Sequence, residues 1–258
     1  GGVRRNRLSD FTNIMANGKI AMKLSDGDRL ILVRTCTEED DVLLATRRGM
    51  CIRFPVSDVR LFTGRTSTGV RGIRLDQDDD VIWMSMLRHV EIETETRDAY
   101  LRQANALRRA DGDGDDANTD GDIPALSSEQ FDNLASQEQF VLAATAKGFG
   151  KRTSAYDYRT TKRGGKGIVN VDTEKRDDTV VATFPVEPTD QVMLVTDGGQ
   201  VIRCPVDDVR IASRRTQGVN LFDVEGDAEV VSVARLRDVA GEDDEDAAEG
   251  SDAAPATE

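Results

Sequence analysis

The residues best suited to bind a ligand lie in one short glycine-rich stretch. Residues 161–167 read Thr-Lys-Arg-Gly-Gly-Lys-Gly, so three cations flank glycines whose backbone can approach a phosphate closely. The stretch lacks the Gly-Lys-Ser/Thr ending of a nucleotide-binding P-loop. It therefore predicts phosphate contact through Lys162, Arg163 and Lys166, without nucleotide hydrolysis.

Other basic side chains recur at matched distances from glycines. Arg53, Arg152 and Arg203 each lie four residues after one, and Arg65 and Arg214 precede a second. Binding to the phosphate backbone of double-stranded DNA requires such a repeated row of cations. The alternative is a set of solvated strand ends, since Arg and Lys also protect sheet edges. The candidate DNA-binding residues are Arg53, Arg65, Arg71, Lys151, Arg152, Lys162, Arg163, Lys166, Arg203, Arg214 and Arg215.

These positions belong to an internal repeat of about 50 residues. Four glycines are each followed nine residues later by an aspartate, and a second glycine comes further along each unit. The pairs are Gly1 and Asp10, Gly49 and Asp58, Gly148 and Asp157, and Gly199 and Asp208. The spacing defines four units, over about 1–40, 41–87, 139–190 and 191–237. An all-β array of propeller-like, four-stranded blades is predicted.

The second unit shows the expected strands most clearly. They run over residues 42–46, 50–54, 70–75 and 81–86, with turn residues between them. The first unit lacks its opening strand but has strand-like runs at 20–24 and 30–33. This incomplete unit, and the absence of an initiator Met, predict a fragment that lacks preceding blades.

The acidic residues are concentrated in two appendages. Residues 88–138 carry 5 basic and 13 acidic side chains, and residues 238–258 carry 9 acidic and no basic ones. The remaining 186 residues hold 29 basic and 26 acidic side chains, so the repeats are slightly basic although the whole chain is -14. The segment 88–138 is predicted to be an insertion of two short helices, at 94–110 and after Ser127, around a flexible loop. Its acidity is expected to keep it off DNA, and the tail 238–258 is predicted to be disordered.

Several function classes are excluded or disfavoured by composition. No apolar run is long enough to span a membrane. The three cysteines have no metal-site or redox spacing, which fits a reducing, cytoplasmic setting. With one histidine and no supporting base near any tyrosine, no catalytic or metal-binding residues and no cofactor are predicted for this chain.

Three segments carry a resemblance to a known family. They are residues 68–75, 148–153 and 215–219, which read TGVRGIRL, GFGKRT and RTQGV. Together with the acidic tail, they resemble the C-terminal domain of the A subunit of bacterial DNA gyrase, across residues 1–237 apart from the insertion. The resemblance implies a β-pinwheel, a propeller variant in which neighbouring blades exchange strands and a basic rim wraps DNA.

The resemblance also implies a role for a longer parent protein. That protein would be an ATP-dependent type II topoisomerase that introduces negative supercoils, with Mg²⁺ as a further cofactor. Its catalytic residues would lie outside this chain, in a missing N-terminal part. The implied partners are double-stranded DNA, the B subunit of gyrase and a second copy of the A subunit, in an A2B2 assembly. The A subunit of topoisomerase IV and a protein-binding propeller of the kelch kind are the alternatives.

Overall fold

The fold is all-β apart from two helices in the insertion. The computed structural model describes residues 1–110 and 125–237, so the predicted flexible loop and the acidic tail lie outside the described residues. The elements are β1 (Gly2–Val3), β2 (Asp40–Thr46), β3 (Met50–Pro55), β4 (Val70–Arg71), β5 (Val81–Arg88), α1 (Thr94–Ala110), α2 (Ser128–Gln137), β6 (Phe140–Thr145), β7 (Phe149–Ser154), β8 (Ile168–Val169), β9 (Val180–Val186), β10 (Gln191–Thr196), β11 (Val201–Pro205), β12 (Val219–Asn220) and β13 (Val230–Leu236).

Each of the last three units builds the centre of one antiparallel sheet from its own residues. A hairpin joins its first two strands, and its last strand returns to the other side of the first. The strand orders are β5-β2-β3-β8, β9-β6-β7-β12 and β13-β10-β11. The hairpin turns contain Gly49, Gly148 and Gly199, and all three glycines have positive φ.

The fourth strand of a sheet comes from the following unit. β8 of the third unit pairs with β3, and β12 of the fourth unit pairs with β7. In the same way β4 pairs with β1 of the first unit. The prediction of a strand-exchanged pinwheel is confirmed. The assignment of residues 70–75 to the sheet of the second unit is wrong, because this short strand completes the preceding unit.

Both faces of the central strands are buried, which explains their continuous apolar sequences. Leu43 packs with Val141 and Tyr158 of the third unit, whereas its neighbour Leu44 packs with Ile52 and Phe54 on the other side. Successive residues of a strand point to opposite faces, so each sheet lies between two layers of side chains. The units therefore share cores with their neighbours.

The first unit does not form a sheet of its own. The predicted strands at 20–24 and 30–33 are absent, and Ile20 and Val33 are 66% and 69% exposed. In the other units the last strand pairs with the unit's own first strand, and residues 1–40 contain no such first strand. Without that backbone partner, the apolar run has no ladder in which to form.

The insertion contains the two predicted helices, packed on the third unit. Ser127 caps α2 through a reciprocal pair of hydrogen bonds with Gln130, a capping box. Tyr100 of α1 and Leu134 of α2 share a buried cluster with Tyr156, which follows β7. The Tyr156 hydroxyl donates to the Leu134 carbonyl at 2.9 Å. The helices are thus fixed to the repeat by apolar contact and a hydrogen bond.

The equivalent hairpin glycines Gly148 and Gly199 differ in how closely the following unit packs against them. A Cβ at Gly148 would lie 2.2 Å from the Phe222 carbonyl oxygen, whereas a Cβ at Gly199 would meet nothing within 4 Å. Both have left-handed φ, of +81° and +83°, so the backbone cost of Ala, roughly 1–2 kcal/mol, is common to both. We expect Gly148→Ala to lower the free energy of unfolding by about 1–3 kcal/mol more than Gly199→Ala, measured by urea denaturation. Equal losses would contradict this account of the junction.

Candidate nucleic-acid interface

Two of the predicted DNA-binding arginines are buried at junctions between units. Arg53 and Arg152 are 5% and 3% exposed. The Arg53 guanidinium donates to Asp41 and to the Ala155 carbonyl of the third unit, each at 2.8 Å. Arg152 donates to the Asp207 carbonyl of the fourth unit at 2.9 Å. Both side chains are enclosed in the protein, so neither is available to phosphate.

The backbone carbonyls of these arginines also bind the following unit. The Arg53 carbonyl accepts from the Thr161 amide and the Arg152 carbonyl from the Ala212 amide, both at 2.8 Å. The Arg5 carbonyl accepts from Phe62 in the same manner. Arg203 is the equivalent residue in the last described unit, which has no described unit after it, and it is exposed. An arginine four residues after the first glycine of a unit thus marks the junction between that unit and the next.

Lys151 is fully buried, with 0% exposure. Its Nζ donates to the carbonyls of Ser213, Arg214 and Thr216 at 2.8, 2.6 and 2.9 Å. An ammonium group satisfied by three carbonyls is tolerated away from water, and it fixes the course of the loop that accepts from it. Lys151 therefore positions the loop that carries Arg214 and Arg215, and it is a structural residue like Arg53 and Arg152.

Three further predicted residues are half-buried and bind the preceding unit. Arg163 donates to the carbonyls of Asp58 and Arg71 at 2.9 and 3.0 Å. Arg214 repeats this with Asp157 and Val169, at 3.1 and 2.7 Å, and Arg65 donates to Ile20 at 3.2 Å. These arginines hold the glycine-rich loops against the units before them and leave part of each guanidinium at the surface.

The remaining predicted residues are exposed. Lys162 and Arg215 lie on the loops that Arg163 and Arg214 anchor, and Arg71 lies on β4. Lys166 is 3.0 Å from Asp76, but both side chains are more than half exposed, so the pair is weak. With Arg203, these five cations can reach a phosphate without breaking the fold.

A second row of exposed arginines escaped the sequence analysis. Arg60, Arg159 and Arg210 each lie two residues after the repeating aspartate, and all three are exposed. The Arg60 guanidinium lies 4.3 Å from the centroid of the Phe62 ring. An Asp-x-Arg spacing in the last three units marks this row in the sequence, at positions that the glycine spacing of the repeat does not single out.

Buried titratable groups elsewhere are kept in their neutral forms. Burial raises the pKa of the Cys51 thiol to about 12. Burial, followed by the charge of Glu138, raises the pKa of Tyr156 to about 12. Burial also raises the pKa of Tyr158, whose hydroxyl donates to Asn170 at 2.7 Å. These groups remain protonated near neutral pH and serve packing and hydrogen bonding.

Comparison with known proteins identifies the repeat. The family described as "DNA gyrase C-terminal domain, beta-propeller" matches residues 1–37, 40–88, 139–187 and 190–237. The chain belongs to the DNA gyrase C-terminal domain family. Residues 89–138, which contain α1 and α2, lie outside the matched segments.

The sequence relatives are named as DNA gyrase A subunits, and each is longer than this chain. The chain is 51% identical to the DNA gyrase A subunit of Granulibacter bethesdensis. The alignment covers 99% of this chain and 29% of that protein. The chain is 42% identical to the equivalent protein of Rickettsia bellii and 32% identical to that of Escherichia coli, over 95% and 97% of this chain. The chain thus spans less than a third of the curated relatives that it matches.

Solved structures share the pinwheel fold. A topoisomerase IV C-terminal domain aligns with a TM-score of 0.68 at 17% identity, covering 92% of this chain and 59% of that one. A DNA gyrase A C-terminal domain aligns with a TM-score of 0.64 at 20% identity, covering 92% and 62%. At these identities the alignments establish the fold alone.

Among residues 1–110 and 125–237, no group of three or more His, Cys, Asp or Glu side chains could hold a metal ion. None of the helices in those residues is long and apolar enough to cross a membrane.

Lys151 is buried and Lys162 is exposed, so the same substitution at the two residues should change the free energy of unfolding by different amounts. Lys151→Met removes the donor to three loop carbonyls, so we expect the free energy of unfolding to fall by about 2 kcal/mol or more. Lys162→Met changes an exposed side chain and should cost less than about 0.5 kcal/mol. Urea denaturation of the two variants measures the difference. A Lys151→Met protein as stable as Lys162→Met would show that the buried ammonium does not hold the loop.

Proposed function

We propose that this chain is a DNA-binding and DNA-wrapping module of a type II topoisomerase, within the A subunit of DNA gyrase. The observation that carries the proposal is the set of exposed cations of successive units: Lys162, Lys166 and Arg215 on anchored loops, with Arg71 on β4 and Arg203 on β11. Family membership supports it. The proposed interface also includes the second row, Arg60, Arg159 and Arg210.

The proposed mechanism divides the work between two kinds of cation. The half-buried Arg163 and Arg214 fix the loop backbones, and the exposed Lys162 and Arg215 beside them bind phosphate. Because neighbouring units repeat this arrangement, the contacts follow a path along the array and do not concentrate at one point. Bending DNA over 20–30 base pairs costs roughly 1–6 kcal/mol, so several such contacts must act together.

The activity of the longer parent protein is part of the proposal. The wrapped DNA would present a crossing to an ATP-driven strand-passage reaction and so give negative supercoils. ATP and Mg²⁺ would bind outside this chain. The partners would be the B subunit of gyrase and a second copy of the A subunit, in an A2B2 assembly in the cytoplasm. The names and identities of the sequence relatives support this parent protein.

The alternatives are less well supported. A topoisomerase IV domain shares the fold, but the sequence relatives described above, at up to 51% identity, are gyrase subunits. A protein-binding propeller of the kelch kind does not account for the family match or for the paired rows of cations.

Charge-removal variants test the interface directly. Each phosphate contact contributes a slope of roughly -0.9 in a plot of log K against log salt, which corresponds to about 5-fold in affinity at about 0.15 M salt. We expect Lys162→Gln, Lys166→Gln and Arg215→Gln combined to weaken binding to a DNA fragment of about 150 base pairs roughly 100-fold. The salt slope should fall by about 3. Fluorescence anisotropy across a salt series measures both quantities.

A control for the loss of one surface charge outside these loops is Arg34→Gln, at an exposed arginine of the first unit that donates to the adjacent Val33 carbonyl. It should bind DNA as the unchanged chain does. A bend-sensitive readout, such as energy transfer between labelled DNA ends, should report shortening with the unchanged chain. Wild-type affinity and salt slope in the triple variant would overturn the assignment of these loops.

A further inference from the structure

A cavity of about 460 Å³ lies between the insertion and the third unit. Its basic lining residues come from separate parts of the chain: Arg97 from the first turns of α1, Arg159 from the third unit and His89 from the segment after β5. Thr94 and Thr160 add hydroxyl groups. The cavity thus brings hydrogen-bond donors from the insertion beside one of the exposed arginines of the repeat.

Two arginines of the cavity are not held by the buried carboxylate of Asp41: Arg159, and Arg97, whose Nε and Nη2 donate to the partly exposed carboxylate of Asp98. Arg53 also lines the cavity, but its Nε is 2.8 Å from Asp41, which is fully buried. His89 Nδ1 is 2.9 Å from the other oxygen of that carboxylate. Arg159 is exposed, and Arg97 is paired with its partly exposed neighbour Asp98. The acidic residue in the lining is Glu91.

The second unit has a different cavity at its equivalent arginine. Arg60, the equivalent of Arg159, lines a smaller cavity of about 220 Å³ formed by its own loop, residues 60–67. Within the described part of the chain, no second arginine lines that cavity. At the third unit α1 therefore adds a second guanidinium, and two guanidinium groups provide the multiple N–H donors that phosphate oxygens accept.

The charge of α1 also differs from that of the insertion as a whole. Its 17 residues carry four arginines and two acidic side chains. Six of the 13 acidic residues of the insertion lie at 111–122, outside the described residues. The expectation that acidity keeps the insertion off DNA therefore does not extend to residues 102–110 of α1, which carry three of its arginines and no acidic residue, whereas its first turns carry Arg97 with Glu95 and Asp98.

We propose that Arg97 of α1 and Arg159 of the third unit jointly bind a phosphate group at this cavity, with Glu91 opposing it. The source we favour is the DNA backbone, because Arg159 lies three residues before Lys162 and leads into the loop that carries it. The insertion then extends the DNA-binding surface of the third unit. This inference rests on the proposed DNA-binding function.

The test uses residues 1–258 and the same DNA fragment. Arg97→Gln with Arg159→Gln should weaken binding by about 25-fold at about 0.15 M salt and reduce the salt slope by about 2. Arg34→Gln is again the control for loss of one surface charge. Binding that weakens in the Lys162, Lys166 and Arg215 variant but not in the Arg97 and Arg159 variant would overturn this inference alone. Loss in neither would overturn the proposed function itself.

Two further measurements separate the remaining explanations. Glu91→Gln should tighten DNA binding, by up to about 5-fold, and misfolding cannot produce that gain; unchanged affinity would contradict the role of the cavity. Inorganic phosphate is the probe for a free anion. If phosphate raises the melting temperature of the unchanged chain but not of the Arg97 and Arg159 variant, while DNA affinity is equal in both, the phosphate site stands and DNA as its source is wrong.

Discussion

The exchange of one short strand between neighbouring units is the constraint on which the rest of this structure depends. Each exchanged strand is only two residues long, yet it completes the sheet of the preceding unit and brings a glycine-rich loop across the junction. The loop is then held by backbone hydrogen bonds and by an arginine of its own unit. In the first unit β1 is paired, but the apolar runs at 20–24 and 30–33 join no sheet among the described residues, and they leave Ile20 and Val33 exposed.

Basic side chains serve two separate purposes in this repeat. Arg53, Lys151 and Arg152 are enclosed where units meet, and their charges are met by carbonyls and carboxylates at hydrogen-bond distance. An enclosed cation without such partners would be costly, so these contacts strongly favour one packing of the units. The exposed Lys162 and Arg215 lie on the loops of the following units, which these strand residues contact through hydrogen bonds across each junction. The stability of the array and its proposed affinity for DNA are therefore linked through the loop backbones.

The insertion is integrated with the repeat and is not merely appended to it. Tyr100, Leu134 and Tyr156 bury apolar surface between the helices and the third unit. Glu138, after α2, accepts from the Tyr100 hydroxyl at 2.8 Å and is paired with Arg108. These contacts place the first turns of α1 next to Arg159. A segment that is acidic in overall composition thus packs against the repeat a helix with four arginines and two acidic residues.

The sequence by itself determined the period of the repeat, the long central strands of the last three units, the two helices and the family, because glycine spacing, apolar runs and capping residues are local signals. It could not separate buried from exposed arginines. Arg53 and Lys162 are both basic residues near a recurring glycine, and they differ only in what the neighbouring unit places around them. Nor could local pattern show that residues 70–71 complete the preceding unit, since strand pairing is a contact between distant segments. Tertiary structure decided these points because burial and pairing depend on which unit packs against which.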